Sequence, residues 1–170
     1  MTKLIKIAAL AAVAFAVTPA SAAPVPATPP AQASAKIVRP LTLTSTGSLN
    51  FGTIVLNGVT ADRTVSLSTG NVLNCAGGNA ELQCSGATSV PSYNVRGTNN
   101  MTVNIIKTAS TLSNGTGGTL TLTPLGAASV LLTSSGAPGL DFNIGGSIVI
   151  GVGQAEGLYT GTVDVQVDYQ

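Results

Sequence analysis

The chain has 170 residues, of which 44% are hydrophobic, 4% aromatic and 8% charged, with no histidine. Ser–His–Asp and Cys–His catalytic arrangements are therefore excluded, and so is the commonest metal ligand. A formal charge of +1 leaves no electrostatic footprint for nucleic acid.

Residues 1–22 read as a secretory signal peptide. Lys3 and Lys6 form a basic start, Ile7 to Val17 are apolar, Pro19 interrupts them, and Ala20-Ser21-Ala22 has the form of a cleavage site. The apolar run falls far short of the roughly 18 residues of a spanning helix, so no integral membrane segment is expected after cleavage. Without Lys3 and Lys6, five basic side chains face six acidic ones, a net charge of −1. So little charge provides weak repulsion between copies. Residues 23–34 follow as an extended leader; APVPATPPAQ carries four prolines and no charge.

Residues 35–170 carry the pattern of a single β domain. Ala35, Ile37, Leu41 and Leu43 share one face at period two, with Arg39 interrupting it and Pro40 favouring a sheet edge or a break. SLNFGTIVL (48–56) alternates, with a bulge expected at Gly52. RTVSLS (63–68) and AELQC (80–84) are short strand candidates. Cys75 and Cys84 are the only cysteines, and an exported chain makes a disulfide their default state. The turn signal Gly77-Gly78-Asn79 places them across a hairpin. Two thiols without histidine do not make a closed zinc site, and a redox C-x-x-C is missing.

PSYNVRG (91–97) and MTVNIIK (101–107) are strand candidates joined around Thr98-Asn99-Asn100. SNGTGG (113–118) is a loop, TLTLT (119–123) and SVLLT (129–133) are separated by Pro124-Leu125-Gly126, and LDFNIGGSIVIGV (140–152) is interrupted by two glycines. Glu156-Gly157 turns the chain into its last segment, GLYTGTVDVQVDYQ. There Tyr159, Val163, Val165, Val167 and Tyr169 alternate with polar residues up to the C-terminus, where most domains fray. Regularly spaced strands without a sustained helical period predict an all-β sandwich or barrel.

The carboxylates do not converge on a reaction. Asp164 and Asp168 fall on the polar face of the last strand, Asp62-Arg63 on a turn, and Asp141 and Glu156 flank loops without a calcium-loop pattern. Neither an enzyme nor a cofactor or metal is expected.

Counting back from Gln170, Tyr169 is penultimate, Val167, Val165 and Val163 alternate, and Gly157 stands fourteenth. This resembles the C-terminal signature of chaperone–usher pilus subunits. SAKIVRPLTLTSTGSLNFGTI, AELQCSGATSVPSYNVRG and the C-terminal segment also resemble a bacterial secreted family catalogued as domain of unknown function 4402. LNFGTI and the cysteine-containing strand resemble spore-coat-protein-U-like pilus subunits. These resemblances imply an immunoglobulin-like antiparallel β-sandwich left one strand short and completed by donor-strand exchange. Gly157, Tyr159, Val163, Val165, Val167 and Tyr169 would then form the chaperone-binding and acceptor-groove strand. The donor strand would draw on Ala33, Ala35, Ile37, Leu41 and Leu43, or on the first three alone, leaving Leu41 and Leu43 in the subunit's own first strand.

The implied partners are a periplasmic chaperone, an outer-membrane usher and identical or related subunits. The implied route is the periplasm in transit, then a fibre at the cell surface. A self-contained secreted or periplasmic binding module that does not polymerise is the alternative. Chaperone–usher subunits often bridge an early cysteine to a later strand, whereas Cys75 and Cys84 are close in sequence.

Overall fold

The computed structural model describes residues 22–78 and 80–170. The expected signal peptide lies outside the described residues but for Ala22. Two units result, the first ending at Lys36 and the second running from Ile37 to Gln170. In the first, residues 22–36 are exposed and form no strand.

The second unit is all-β. Its strands are β1 (Thr42–Thr46), β2 (Thr53–Leu56), β3 (Arg63–Leu67), β4 (Leu73–Cys75), β5 (Leu82–Ser85), β6 (Ser92–Arg96) and β7 (Thr102–Thr108). β8 (Ser110–Ser113), β9 (Thr119–Leu125), β10 (Ser129–Leu131), β11 (Leu140–Asn143), β12 (Gly145–Ile150) and β13 (Asp164–Tyr169) complete it. All pairings are antiparallel, in the orders β1-β6-β11, β10-β7-β13, β4-β3-β12-β9-β8 and β2-β5.

The layers follow from alternation. Tyr93 and Val95 of β6 are buried against Val103 and Ile105 of β7, joined by Leu43 of β1, Phe142 of β11, Val130 of β10 and Val165 and Val167 of β13. The sheets β1-β6-β11 and β10-β7-β13 thus pack face to face. A larger cluster joins Val65 and Leu67 of β3, Leu120 and Leu122 of β9, and Ile148 and Ile150 of β12 to Leu82 of β5 and to Phe51. Here β2-β5 covers the five-stranded sheet. Each such aliphatic side chain, fully buried, contributes about 1.5–3 kcal/mol.

Two continuous stretches pass between sheets: β7 runs into β8, and β11 into β12. At the second crossing Ile144 is fully buried and its N–H donates to the Pro91 carbonyl at 3.2 Å. The Gly145-Gly146 pair stands where the 140–152 run divides, directly after the crossing. Gly145 opens β12 where a Cβ would run into the Leu67 carbonyl oxygen of β3, so only glycine permits that approach. Pro124 likewise lies inside β9, in register with Gly146. β8 stops pairing at Leu122, so Pro124 sits where one edge of β9 is open.

The cysteines are bonded, with Cα atoms 5.8 Å apart, but not across a hairpin. β4 belongs to the five-stranded sheet and β5 to the two-stranded one, with a 3-10 turn at Ala76–Gly78 between them. The bridge ties two sheets together, because the glycine-rich segment turns a corner between layers. β6 and β7 similarly belong to different sheets, so Thr98–Asn100 is a crossover between layers.

Candidate functional site

The alternating apolar face of the C-terminal segment aims each valine inward, which fixes the register of β13 on β7: Val165 lies opposite Lys107, Val167 opposite Ile105 and Tyr169 opposite Val103. The Gln170 N–H carries the ladder on to the Thr102 carbonyl at 3.0 Å. Upstream, Thr160 and Ser113 form a bridge, and the Ser110 hydroxyl donates to the Thr162 carbonyl at 2.6 Å. Residues 160–170 therefore track the whole β7–β8 stretch along one edge.

The opposite edge of β13 pairs with no strand among the described residues, and neither does the outer edge of β1. Between these edges the apolar face is half covered. Leu41, Leu43, Val163, Val165, Val167 and Tyr169 are all half-buried, whereas Tyr93, Val95, Val103 and Ile105 on the neighbouring inner strands are buried. Unpaired backbone beside half-buried aliphatics is the chemistry that a slot for another strand would use. Its outer rim on β13 carries Asp164 and Asp168. The Tyr93 hydroxyl donates to the Val163 carbonyl at 3.4 Å, and burial, aided by the Asp164 charge, raises its pKa above the usual phenol value.

At the end of β13 a knot of hydrogen bonds ties Tyr169 to Arg39 and Thr98. The Tyr169 hydroxyl donates to the Arg39 carbonyl at 2.7 Å and accepts from the Thr98 N–H at 2.8 Å. The Arg39 N–H donates to Thr98 Oγ1 at 2.7 Å. Gly97 makes room for this arrangement, since a Cβ there would strike the Tyr169 hydroxyl, Leu41 and Leu132. Sequence reasoning missed the knot. It took Arg39 as an interruption of an apolar face and Thr98 as part of a turn. The available signal was a phenol at a chain end, which needs a partner when half-buried.

The remaining expected residues fall as follows. Gly157 is exposed, with φ +136°, and lies upstream of β13. Tyr159 packs against the larger cluster, and its hydroxyl donates to the Ala155 carbonyl at 2.7 Å and accepts from Gln154 Nε2 at 2.6 Å. Ala33 and Ala35 are exposed and outside any strand, and Ile37 is 92% exposed. Leu43 is part of β1 and Leu41 directly precedes it; both pack against the Val95–Val103–Leu132 cluster.

The charged groups are dispersed. Asp141 Oδ1 accepts from Asn94 Nδ2 at 2.6 Å, and the Glu156 carbonyl accepts from Asn114 Nδ2 at 3.1 Å. Arg63 Nε donates to Glu81 Oε2 at 2.7 Å, and Thr60 Oγ1 donates to Glu81 Oε1 at 2.6 Å. Those two hydrogen bonds, the guanidinium first, lower the Glu81 pKa to about 2, and the same pairing raises that of Arg63. Among the described residues no three His, Cys, Asp or Glu side chains are grouped to hold a metal ion. An open depression of about 480 Å³ lies beside Thr69, Asp141 and Phe142, and a smaller one of about 220 Å³ beside Leu56, Val59 and Gln154.

Residues 41–169 match the family described as Domain of unknown function (DUF4402). No curated protein and no solved structure matches the chain.

Proposed function

The chain belongs to the family described as Domain of unknown function (DUF4402), and from the form of its own domain we propose that it is a structural subunit of a surface fibre, joined to its neighbours by strand exchange. The observation that carries this reading is the edge of β13. That strand is paired only with β7, while Val163, Val165, Val167 and Tyr169 stay half-buried and β1 is likewise paired along one edge only. The domain is read as an immunoglobulin-like sandwich lacking one edge strand, with the leader of a second copy filling the place.

The leader suits that role. Residues 22–38 are exposed, outside any strand, and carry Lys36 as their one charge, opposite in sign to Asp164 and Asp168 on the rim. Ala33, Ala35 and Ile37 supply one apolar face at period two, and Leu41 and Leu43 stay with their own domain. Backbone pairing gives affinity and the alternate side chains give specificity. Because each copy donates and accepts at different places, the contact is heterologous and extends into a fibre. A periplasmic chaperone would hold the same edge before assembly, and an outer-membrane usher would receive the subunit.

The test is the state of the protein purified from its own host. Strand exchange requires a ladder of heat-sensitive multimers on unboiled gels, lost on deletion of residues 23–38. A monodisperse chain made without a chaperone, stable and indifferent to that deletion, sinks the reading. It would favour instead a self-contained secreted or periplasmic binding module. One observation supports that second reading: the three apolar clusters draw only on residues 41–169.

A further inference from the structure

We infer that the Arg39–Thr98–Tyr169 knot keeps a chain's own leader out of the slot beside β13 and so reserves that slot for a second copy. The inference rests on the strand-exchange reading above. The knot stands at the root of the leader and uses both backbone groups of Arg39, the N–H on Thr98 Oγ1 and the carbonyl on the Tyr169 hydroxyl. The next residue, Pro40, has no N–H and a fixed φ. Leu41 is then held by its packing against Val95, Val103 and Leu132.

Chain direction makes this matter. The contact with Tyr169 puts the start of β1 at the end of the slot where β13 finishes. A leader folding back on its own domain must therefore reverse over residues 38–41 and lie parallel to β13. The leader of another molecule is free to enter antiparallel, the slightly more stable pairing. With Arg39 tied at both backbone groups and Pro40 beside it, the reversal has to break the knot first. Of the residues just before the knot, Ile37 is 92% exposed and Val38 39%. Tyr169 and Thr98 thus act as positioning residues for the leader.

The experiment uses four full-length exported chains: the natural one, Tyr169→Phe, Ile37→Asp and the Tyr169→Phe/Ile37→Asp double variant. Ile37→Asp disables donation at an exposed position. The probe is a synthetic peptide of residues 23–38, read by its binding to the monomeric fraction. Expected are multimers for the natural chain and monomers for Tyr169→Phe. Peptide uptake by Tyr169→Phe should be at least tenfold weaker than by Ile37→Asp, and the double variant should recover it fully. Thr98→Val, which removes the acceptor for the Arg39 N–H, should repeat the Tyr169→Phe result. Polymerisation of Tyr169→Phe to the natural extent overturns the inference and leaves the strand-exchange reading standing. Weak uptake by the double variant also overturns it, because the hydroxyl would then be serving the slot itself. An Ile37→Asp chain that takes up no peptide overturns the strand-exchange reading as well.

Discussion

The Tyr169 hydroxyl lies 2.7 Å from the carbonyl oxygen of Arg39, a hydrogen bond between residues 130 positions apart. It joins the start of the domain to its end, where chains ordinarily fray. A terminal strand anchored at its last turn can keep its register although only one of its edges is paired.

Removing that hydroxyl should loosen both ends together. Tyr169→Phe leaves the Arg39 carbonyl and the Thr98 N–H without their partner, at a cost of about 1 kcal/mol. Amide exchange at Thr98 and along β1 should quicken, while the Leu120–Ile148 region keeps its protection. Uniformly faster exchange across the domain would show that the hydroxyl supports global stability and no local anchor.

Gly97→Ala tests the same corner by crowding. The added Cβ meets the Tyr169 hydroxyl, Leu41 and Leu132. Leu132 is 1% exposed and has little room to yield. The substitution should cost about 1–3 kcal/mol in urea unfolding, as overpacking does. A loss within experimental error would mean that the corner relaxes freely.

The sequence made the strands easier to read than their partners. Alternation placed Val163, Val165 and Val167 on one face, and the turn chemistry marked the loop at 113–118, because both signals are local. Which sheet a strand joins is set by contacts far along the chain. Thus β6 and β7, adjacent in sequence, lie in different layers, and the cysteines bridge two sheets where a hairpin was expected. Pro124 reads as an interruption because the neighbour that accommodates it, Gly146, is distant in sequence. In the candidate site the apolar edge was legible and the knot was not, since a hydrogen bond from Tyr169 to a backbone carbonyl leaves no periodicity.

The inter-sheet disulfide should matter as a short closure. Replacing Cys75 and Cys84 by serine opens a loop with a sequence separation of 9, worth about 2.5 kcal/mol in the chain-entropy picture. Chemical denaturation of the oxidised and reduced protein measures the difference. Because β2-β5 covers the larger cluster from one side, reduction should raise exchange in β5 before it does so in β12. An equal rise in both would mean that the bridge stabilises the domain only as a whole.

Acid should weaken the domain through Glu81. Its pKa is held at about 2 by hydrogen bonds from Arg63 and Thr60, against an ordinary value of 4.5. A carboxyl depressed in the folded state binds its proton more readily when unfolded, so it adds stability above the unfolded pKa. That contribution fades as pH falls from the ordinary carboxylate range toward 2. Urea titrations between pH 6 and about 2 should show stability declining over that window, with a shallower decline in Glu81→Gln, which keeps the shape and cannot ionise. Superposable pH profiles for the two proteins would mean that the pair with Arg63 does not hold in solution.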